Sequence, residues 1–320
     1  MPRERHSSVT PSLLPNPTAS AFAQRLTWEE LDPSHLRQLI TLAREEDLAG
    51  AGLMRSVTPG DVTTAALVGN ALAGATFVAR QPLTVCGVHL LPLVFETFGA
   101  GCTIKIATGV RDGSVVKKGD VLATVIGPAG TLLKAERTAL NFFQKLSGIA
   151  TQTAQHVAAL GWTSTKLLDT RKTTPGFRML EKYAVGCGGG WNHRLGLFDR
   201  VLIKDNHLAA ANATTGERLA AAVRQVRARH PKMLVECEVD ALEQIPPVLE
   251  AGVDVVLLDN FSITELKKAV ALIDHRVGAE ASGGVTIETL PQMARLGLDY
   301  ISCGALIHHA SWADIGLDWR

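Results

Sequence analysis

The second half of the sequence predicts an α/β fold of barrel type, an incomplete TIM-like barrel. Three features point that way. Six short apolar runs recur between residues 165 and 303, each ends in a charged, polar or glycine cluster, and helical stretches of crossover length separate them. Parallel strands joined by right-handed crossovers bring their C-terminal ends to one face, and in barrels that face carries the chemistry. Six units are fewer than a closed barrel has, so the expected barrel is open.

The elements follow in chain order. The first twenty residues hold four prolines and no apolar run. Residues 1–25 are therefore expected to be a disordered tail and not a signal peptide. Leu31–Ala49 reads as a helix, because Leu36, Leu39, Ile40 and Leu48 recur at helical spacing while Glu45, Glu46 and Asp47 take the wet side. From Asp61 to Val125 the texture is β-like, with Thr76–Ala79, Leu83–Val85, Lys105–Ala107 and Leu122–Val125 separated by Gly or Pro. Gly113–Leu122 resembles the turn-rich hairpin of biotinyl and lipoyl carriers. A carrier needs a lysine at a hairpin tip, whereas Lys134 precedes a helix, so a related β-fold without the carrier function is expected. Thr138–Leu160 reads as a long helix with Leu140, Phe143, Leu146, Ile149 and Ala150 on one face and a break at Ser147-Gly148. The domain boundary is expected near it.

The six runs are Thr165–Asp169 before Thr170-Arg171-Lys172, Val201–Ile203 before Lys204-Asp205-Asn206-His207, Met233–Val235 before Glu236-Cys237-Glu238, Val253–Leu258 before Asp259-Asn260, Val277–Ala281 before Ser282-Gly283-Gly284, and Tyr300–Cys303 before Gly304-Ala305. Two crossover helices are expected to open with capping boxes, Thr214 with Glu217 and Ser262 with Glu265. Leu242, Ile245, Val248 and Leu249 supply the buried face of another.

Apolar residues make up 46% of the 320, enough for two domains. The net charge of +1 makes no case for nucleic acid, so any basic site must be local. The five cysteines are odd in number and widely spaced, without a CxxC pair, which argues against a zinc ribbon or a disulfide framework and for reduced thiols in a cytoplasmic protein. Ala65–Ala79 is the most apolar stretch, but it is too short for a membrane span and is interrupted by Asn70 and glycines.

The strand ends carry the chemistry. Ser282-Gly283-Gly284, before a helix expected near Thr286, and Gly304-Ala305 would present backbone N–H groups to a phosphate. Gly186-Cys187-Gly188-Gly189-Gly190 lacks the GxGxxG spacing of a dinucleotide site. Glu238 and Asp259 can hold Mg²⁺ through oxygens or waters, accept ribose hydroxyls, or stabilise a developing cation. Glu236 shares a strand face with Glu238, and chemistry alone leaves the choice between them open. Arg171, Lys172, His193, Arg194 and Lys204 form a basic cluster, and two or three such groups converging would suit a small ligand with more than one carboxylate. The adjacent His308 and His309 cannot both face one metal on a helix.

Glu136-Arg137-Thr138-Ala139-Leu140-Asn141, Asp169–Gly176, Asn192–Leu197, Lys204–His207, Leu257–Asn260 and Glu280–Gly284 together resemble quinolinate phosphoribosyltransferase, the decarboxylating nicotinate-nucleotide pyrophosphorylase family. The resemblance runs from about Leu31 to the C-terminus. It implies an N-terminal α/β sandwich over residues 26–140, completed by 309–320, beside an incomplete α/β barrel over 141–308. It implies a pentosyltransferase that joins quinolinate to phosphoribosyl pyrophosphate (PRPP), and a homodimer, possibly assembled further, with its active site shared across the interface. By the same resemblance, Arg171, His193, Arg194 and Lys204 would bind the quinolinate carboxylates, with Arg137 reaching in from the neighbouring subunit. Lys172, Glu238 and Asp259 would be catalytic and serve PRPP and its Mg²⁺. Ser282, Gly283, Gly284, Gly304 and His308 would hold the 5-phosphate. The alternatives are a paralogue acting on another pyridine carboxylate and, in a different class, the carrier module.

Overall fold

Two principal sheets divide the strands of the protein. The structure, a computed structural model, describes residues 22–69 and 71–320. Strands β1 (Leu72–Ala79), β2 (Leu83–Thr84), β3 (Thr103–Ile106), β4 (Val115–Val116) and β5 (Val121–Pro128) precede the helix Ala129–Leu160. Strands β6 (Lys166–Leu168), β7 (Val201–Ile203), β8 (Val235–Val239), β9 (Val255–Asp259), β10 (Gly278–Ser282) and β11 (Tyr300–Ser302) then alternate with helices, and β12 (Ile315–Trp319) follows.

The first sheet is antiparallel, in the order β12-β1-β5-β3, with β2 and β4 as a separate pair. Its inner face packs on two helices. Phe77 of β1 meets Phe95 and Phe143 edge-on at 6.3 and 5.9 Å, and all three rings are fully buried. Such aromatic triads add geometric preference to area burial. The helix Pro33–Ala49 lies over this layer with Leu36 and Ile40 buried. Its start is fixed by Asp32, which accepts from the Ser34 N–H, and by a proline in the first turn; Gly50 in the left-handed region ends it.

The long helix begins at Ala129, well before the expected Thr138, so Lys134 lies inside it and not ahead of it. It also runs unbroken through Ser147-Gly148. Gly148 is a point of close approach, because a Cβ there would sit 2.1 Å from the Ser311 carbonyl oxygen. Ser147 Oγ accepts from the Cys86 N–H and donates to the Cys86 carbonyl. The small pair thus lets two chain segments press against the helix. Leu140, Phe143, Leu146, Ile149 and Ala150 are buried on it. One helix therefore belongs to the cores of both halves.

The second sheet is all-parallel, ordered β6-β11-β10-β9-β8-β7. Among the described residues no ladder joins β6 to β7, so the barrel is open. In this half three sequence expectations need correction. The third run was expected to end at Val235, yet β8 begins there and continues to Val239, so Glu236 and Glu238 lie within the strand. The Ser262 capping box forms, with Ser262 Oγ accepting from the Glu265 N–H and Glu265 accepting from the Ser262 N–H. The Thr214 box does not: the helix starts at Gly216 and Glu217 pairs with Arg224. After Ser282-Gly283-Gly284 the next helix begins only at Leu290, not near Thr286, because Thr286–Thr289 forms a turn closed by the Thr289 hydroxyl.

Residues 22–25 were expected in a disordered tail. Instead Phe22 is fully buried and Gln24 bridges to Asn192. The rest of the expected tail lies outside the described residues, as does Asn70.

Candidate active site

A cleft of about 1010 Å³ opens at the C-terminal ends of the parallel strands. Twelve of the expected site residues line it: Arg171, Lys172, His193, Arg194, Lys204, Glu238, Asp259, Ser282, Gly283, Gly284, Gly304 and His308. Arg137 does not; it is exposed on the long helix, outside the cleft of its own chain.

The basic wall is built from beneath. Asp169, at the end of β6, is fully buried and forms an ion pair with the equally buried Lys182. It also accepts from Asn192 Nδ2 at 2.8 Å and from the His193 N–H at 2.9 Å. Burial pushes the Asp169 carboxyl up and the Lys182 ammonium down, while each partner's charge opposes the shift. The pair thereby fixes the backbone that presents His193 and Arg194. Burial pulls the Arg194 guanidinium down, and the neighbouring positive Arg171 adds to that effect. Arg171 Nε is buried without a hydrogen-bond partner. Cations crowded together with an unmet donor favour an anion between them.

Strand depth separates the two glutamates of β8. Glu238 stands at the mouth, lines the cleft and accepts from Lys204 Nζ at 3.0 Å. Glu236, two residues lower on the same face, lies fully buried in the lumen. There it meets His193 Nε2 at 3.1 Å, with Glu280 at 3.5 Å and Arg200 Nη1 lying 3.8 Å from Glu236. Burial pushes Glu236 up to about 7 and Glu280 up to about 8. His193 accepts on Nδ1 from the Arg194 N–H at 2.8 Å, which leaves the proton on Nε2, facing the carboxyls. Burial holds its pKa down at about 4, so the imidazole is neutral at neutral pH. It lines the cleft, but its ring nitrogens are engaged by the protein.

On the opposite wall, Asp259 Oδ2 accepts from Asn260 Nδ2 at 2.7 Å, and the Asn260 N–H binds the Ser282 carbonyl. Gly283 has φ +90°, and a Cβ there would fall 2.1 Å from Asn260 Oδ1, so only glycine fits this loop. Lys172 and His308 both crowd Gly304, each 2.9 Å from where a Cβ would lie. His308 is pulled down by burial and by its neighbours His309 and Lys172.

Several residues escaped the sequence reading. Gln152 and His156 line the cleft from the long helix, with Gln152 Nε2 donating to the Ala305 carbonyl at 2.6 Å. No strand-end signal marks them. Glu280 and Arg200 lie in the lumen, where the available signal was a charged residue inside or beside an apolar run. Cys86, Asp112 and Cys187 also gather, their ligand-capable atoms within 4.8 Å of one another, but Asp112 already accepts from the Gly87 and Val88 N–H groups and the Tyr183 hydroxyl. All five cysteines are free.

The donor chemistry of the two mouth carboxylates suits Mg²⁺. Glu238 and Asp259 offer hard oxygens from adjacent strands, and each spends only one oxygen on a nitrogen donor. That fits a cation which takes one or two carboxylates and keeps waters or phosphate oxygens for the rest.

An open barrel whose mouth gathers cations, two carboxylates and a glycine loop around one cleft defines a transferase that holds a polyanionic acceptor beside a phosphorylated donor. The chain belongs to the quinolinate phosphoribosyl transferase family, whose N-terminal domain description matches residues 61–147 and whose C-terminal domain description matches residues 149–318. It is 44% identical to the nicotinate-nucleotide pyrophosphorylase (carboxylating) of Mycobacterium leprae over 264 residues, covering 81% of this chain and 90% of that one. Identity to the probable nicotinate-nucleotide pyrophosphorylase (carboxylating) of Bacillus subtilis is 38% over 265 residues, covering 83% and 90%. Among solved structures, the nicotinate-nucleotide pyrophosphorylase from Francisella tularensis superposes with a TM-score of 0.82 at 33% identity, over 93% of this chain and all of that one.

Proposed function

We propose that this protein transfers the phosphoribosyl group of PRPP to quinolinate with decarboxylation, giving nicotinate mononucleotide, pyrophosphate and CO₂, a step of de novo NAD biosynthesis. The observation that carries this reading is the convergence of Arg171, Arg194 and Lys204 opposite Asp259 and Gly283 across one cleft. The names of the relatives support it.

Arg171, Arg194 and Lys204 hold the two carboxylates of quinolinate against the neutral wall of His193. Their positions orient the pyridine nitrogen toward the ribose C1, and that preorganisation is their main contribution. Lys172 neutralises charge on the departing pyrophosphate. Glu238 and Asp259 favour the oxocarbenium-like ribose that forms as the C1–O bond lengthens. The pyridine nitrogen forms the new bond to C1. The ring then carries positive charge, so the bond to the 2-carboxylate can break, with its electron pair left on the ring carbon. That carbanion is stabilised by the adjacent N⁺ and takes up a proton. Ser282, Gly283, Gly284, Gly304 and His308 cradle the 5-phosphate. When bound by Glu238 and Asp259, directly or through water, Mg²⁺ supplies further neutralisation of the pyrophosphate.

A homodimer with a shared site is part of the proposal. Exposed Leu67, Leu72 and Ile126 lie on or beside the helix Val62–Leu67 and the strands next to it, an apolar surface of the kind that marks an interface. Arg137, exposed and outside its own cleft, would enter the neighbour's. Among the described residues no helix is long and apolar enough to cross a membrane. The free cysteines favour a cytoplasmic location.

The test is to incubate the purified protein with PRPP, Mg²⁺ and either quinolinate or nicotinate. Nicotinate mononucleotide and CO₂ in equal amounts, from quinolinate only, are expected. Turnover of nicotinate without CO₂ would select the paralogue reading instead.

A further inference from the structure

The gap between β6 and β7 is filled by chain from the far N-terminal side. Trp191 runs beside β6, its N–H bonded to the Leu167 carbonyl and its own carbonyl accepting from the Asp169 N–H. Against Trp191 and Asn192 lies the segment 22–26. The Asn192 N–H donates to the Gln24 carbonyl at 2.7 Å, and Asn192 Oδ1 accepts from the Leu26 N–H at 2.8 Å. Arg25 donates to the carbonyls of Gly190 and Gly189 at 2.8 and 2.7 Å, and its guanidinium lies 4.0 Å from the Trp191 ring centroid. Gln24 Nε2 reaches Asp199 Oδ2 at 3.3 Å, and Asp199 in turn accepts from the Leu195 and Gly196 N–H groups.

Phe22 sits at the inner end of this segment. Its ring is fully buried, edge-on to His193 at 5.9 Å and tilted against Tyr300 at 4.6 Å. The Arg200 guanidinium lies 3.5 Å from the ring centroid, and Arg200 also donates to the Phe22 carbonyl. A cation–π contact is strongest where, as here, water is excluded. The segment therefore grips both ends of the 189–200 stretch, and His193 and Arg194 are in its middle.

We propose that residues 22–26 form a strap that acts as a working part of the substrate site, with Phe22 and Arg25 as positioning residues for His193 and Arg194. This rests on the proposed function and adds to it a part of the chain that supplies no group to the cleft. The physical logic is direct. Arg194 is held by backbone that has β6 on one side and the strap on the other; removing the strap leaves Asn192 with one set of partners and opens the space beneath His193. Small displacements of a binding group cost large factors in rate. Gln24 and Arg25 bond to the 189–199 stretch, and Phe22 meets β11 at Tyr300, the first residue of that strand and four before Gly304, so the mouth of the PRPP wall is expected to keep its geometry.

The experiment uses the full chain with Phe22→Ala, Phe22→Leu and Arg25→Ala, each assayed for the KM of quinolinate and of PRPP. Phe22→Ala is expected to raise the quinolinate KM about tenfold or more while leaving the PRPP KM within about twofold. Phe22→Leu, which restores apolar volume, recovers part of that loss. Arg25 is exposed, so Arg25→Ala keeps the fold and raises the quinolinate KM by a smaller factor; it decides the question if Phe22→Ala does not fold. Unchanged quinolinate KM in the folded variants, or equal rises for both substrates, would overturn the strap. A wild-type protein without turnover would count against the proposed function and not against the strap.

Discussion

The two sheets of this protein solve burial in different ways. In the antiparallel sheet, β1 and β5 bury residues on one face and leave Leu72 and Ile126 exposed. In the barrel, β8 is buried along its whole length, yet Glu236 and Glu280 stand inside. One sheet thus shows apolar surface to the outside, and the other hides ionisable carboxyls within. Buried charge is weak evidence for stability, whereas an outward apolar face calls for a partner surface. The proposed catalysis accordingly falls to the barrel, and cohesion and the proposed assembly to the sheet.

Variants that separate these roles test the contrast. The largest effect expected is on stability in the antiparallel half: Phe77→Ala should cost about 3–5 kcal/mol by urea unfolding, with both KM values unchanged in the folded fraction. Glu238→Ala should lower kcat by about 10²–10³-fold, as removal of an electrostatic group facing developing charge does, with unfolding little affected. Arg194→Lys keeps the charge and loses the planar fork. A rise in the quinolinate KM of about tenfold is expected, and an unchanged value would remove Arg194 from the site. Mixing Arg137→Ala protein with Lys172→Ala protein, each inactive alone, should restore measurable activity if Arg137 serves the neighbour's cleft. No recovery after subunit exchange would confine the site to one chain.

The smallest effect concerns the lumen. Glu280 is raised by burial from 4.5 to about 8, so the folded state holds its proton more tightly than the unfolded state. Its stabilising contribution is complete below about 4.5 and is lost as pH rises through 8. His193, depressed to about 4, works in the other direction, its contribution being lost as pH falls from 6.5 through 4. The Tm of the wild type should therefore fall between pH 6 and 9 by more than that of Glu280→Gln. Parallel curves would mean that the lumen carboxyl is ionised throughout.

Much of the barrel was legible because parallel strands buried on both faces read as continuous apolar runs. The same rule explains the misplaced third strand: Glu236 and Glu238 break the apolar run at Met233–Val235, so a strand with a polar lumen face looked as though it had ended. Strand ends then located Arg171, Lys172, Lys204, Glu238, Asp259, Ser282, Gly283, Gly284 and Gly304, which follow or terminate a run, whereas His193, Arg194 and His308 follow none and were legible through the family resemblance. Gln152 and His156 were not legible, because they reach the cleft from a helix whose periodicity reports only burial. Phe22 was hidden by composition: one aromatic beside a proline-rich stretch carries no period, and its burial depends on a gap that exists only in three dimensions. Gly148 looked like a helix break for the same reason, since the Ser311 backbone that requires it lies far along the chain.

The most direct measurement is a crystal structure of the protein with quinolinate bound. Both carboxylates are expected within hydrogen-bond reach of Arg171, Arg194 and Lys204, with the pyridine nitrogen facing Glu238 and Asp259. Quinolinate bound away from the strand ends, or a cleft that binds PRPP but leaves the diacid untouched by these cations, would contradict it.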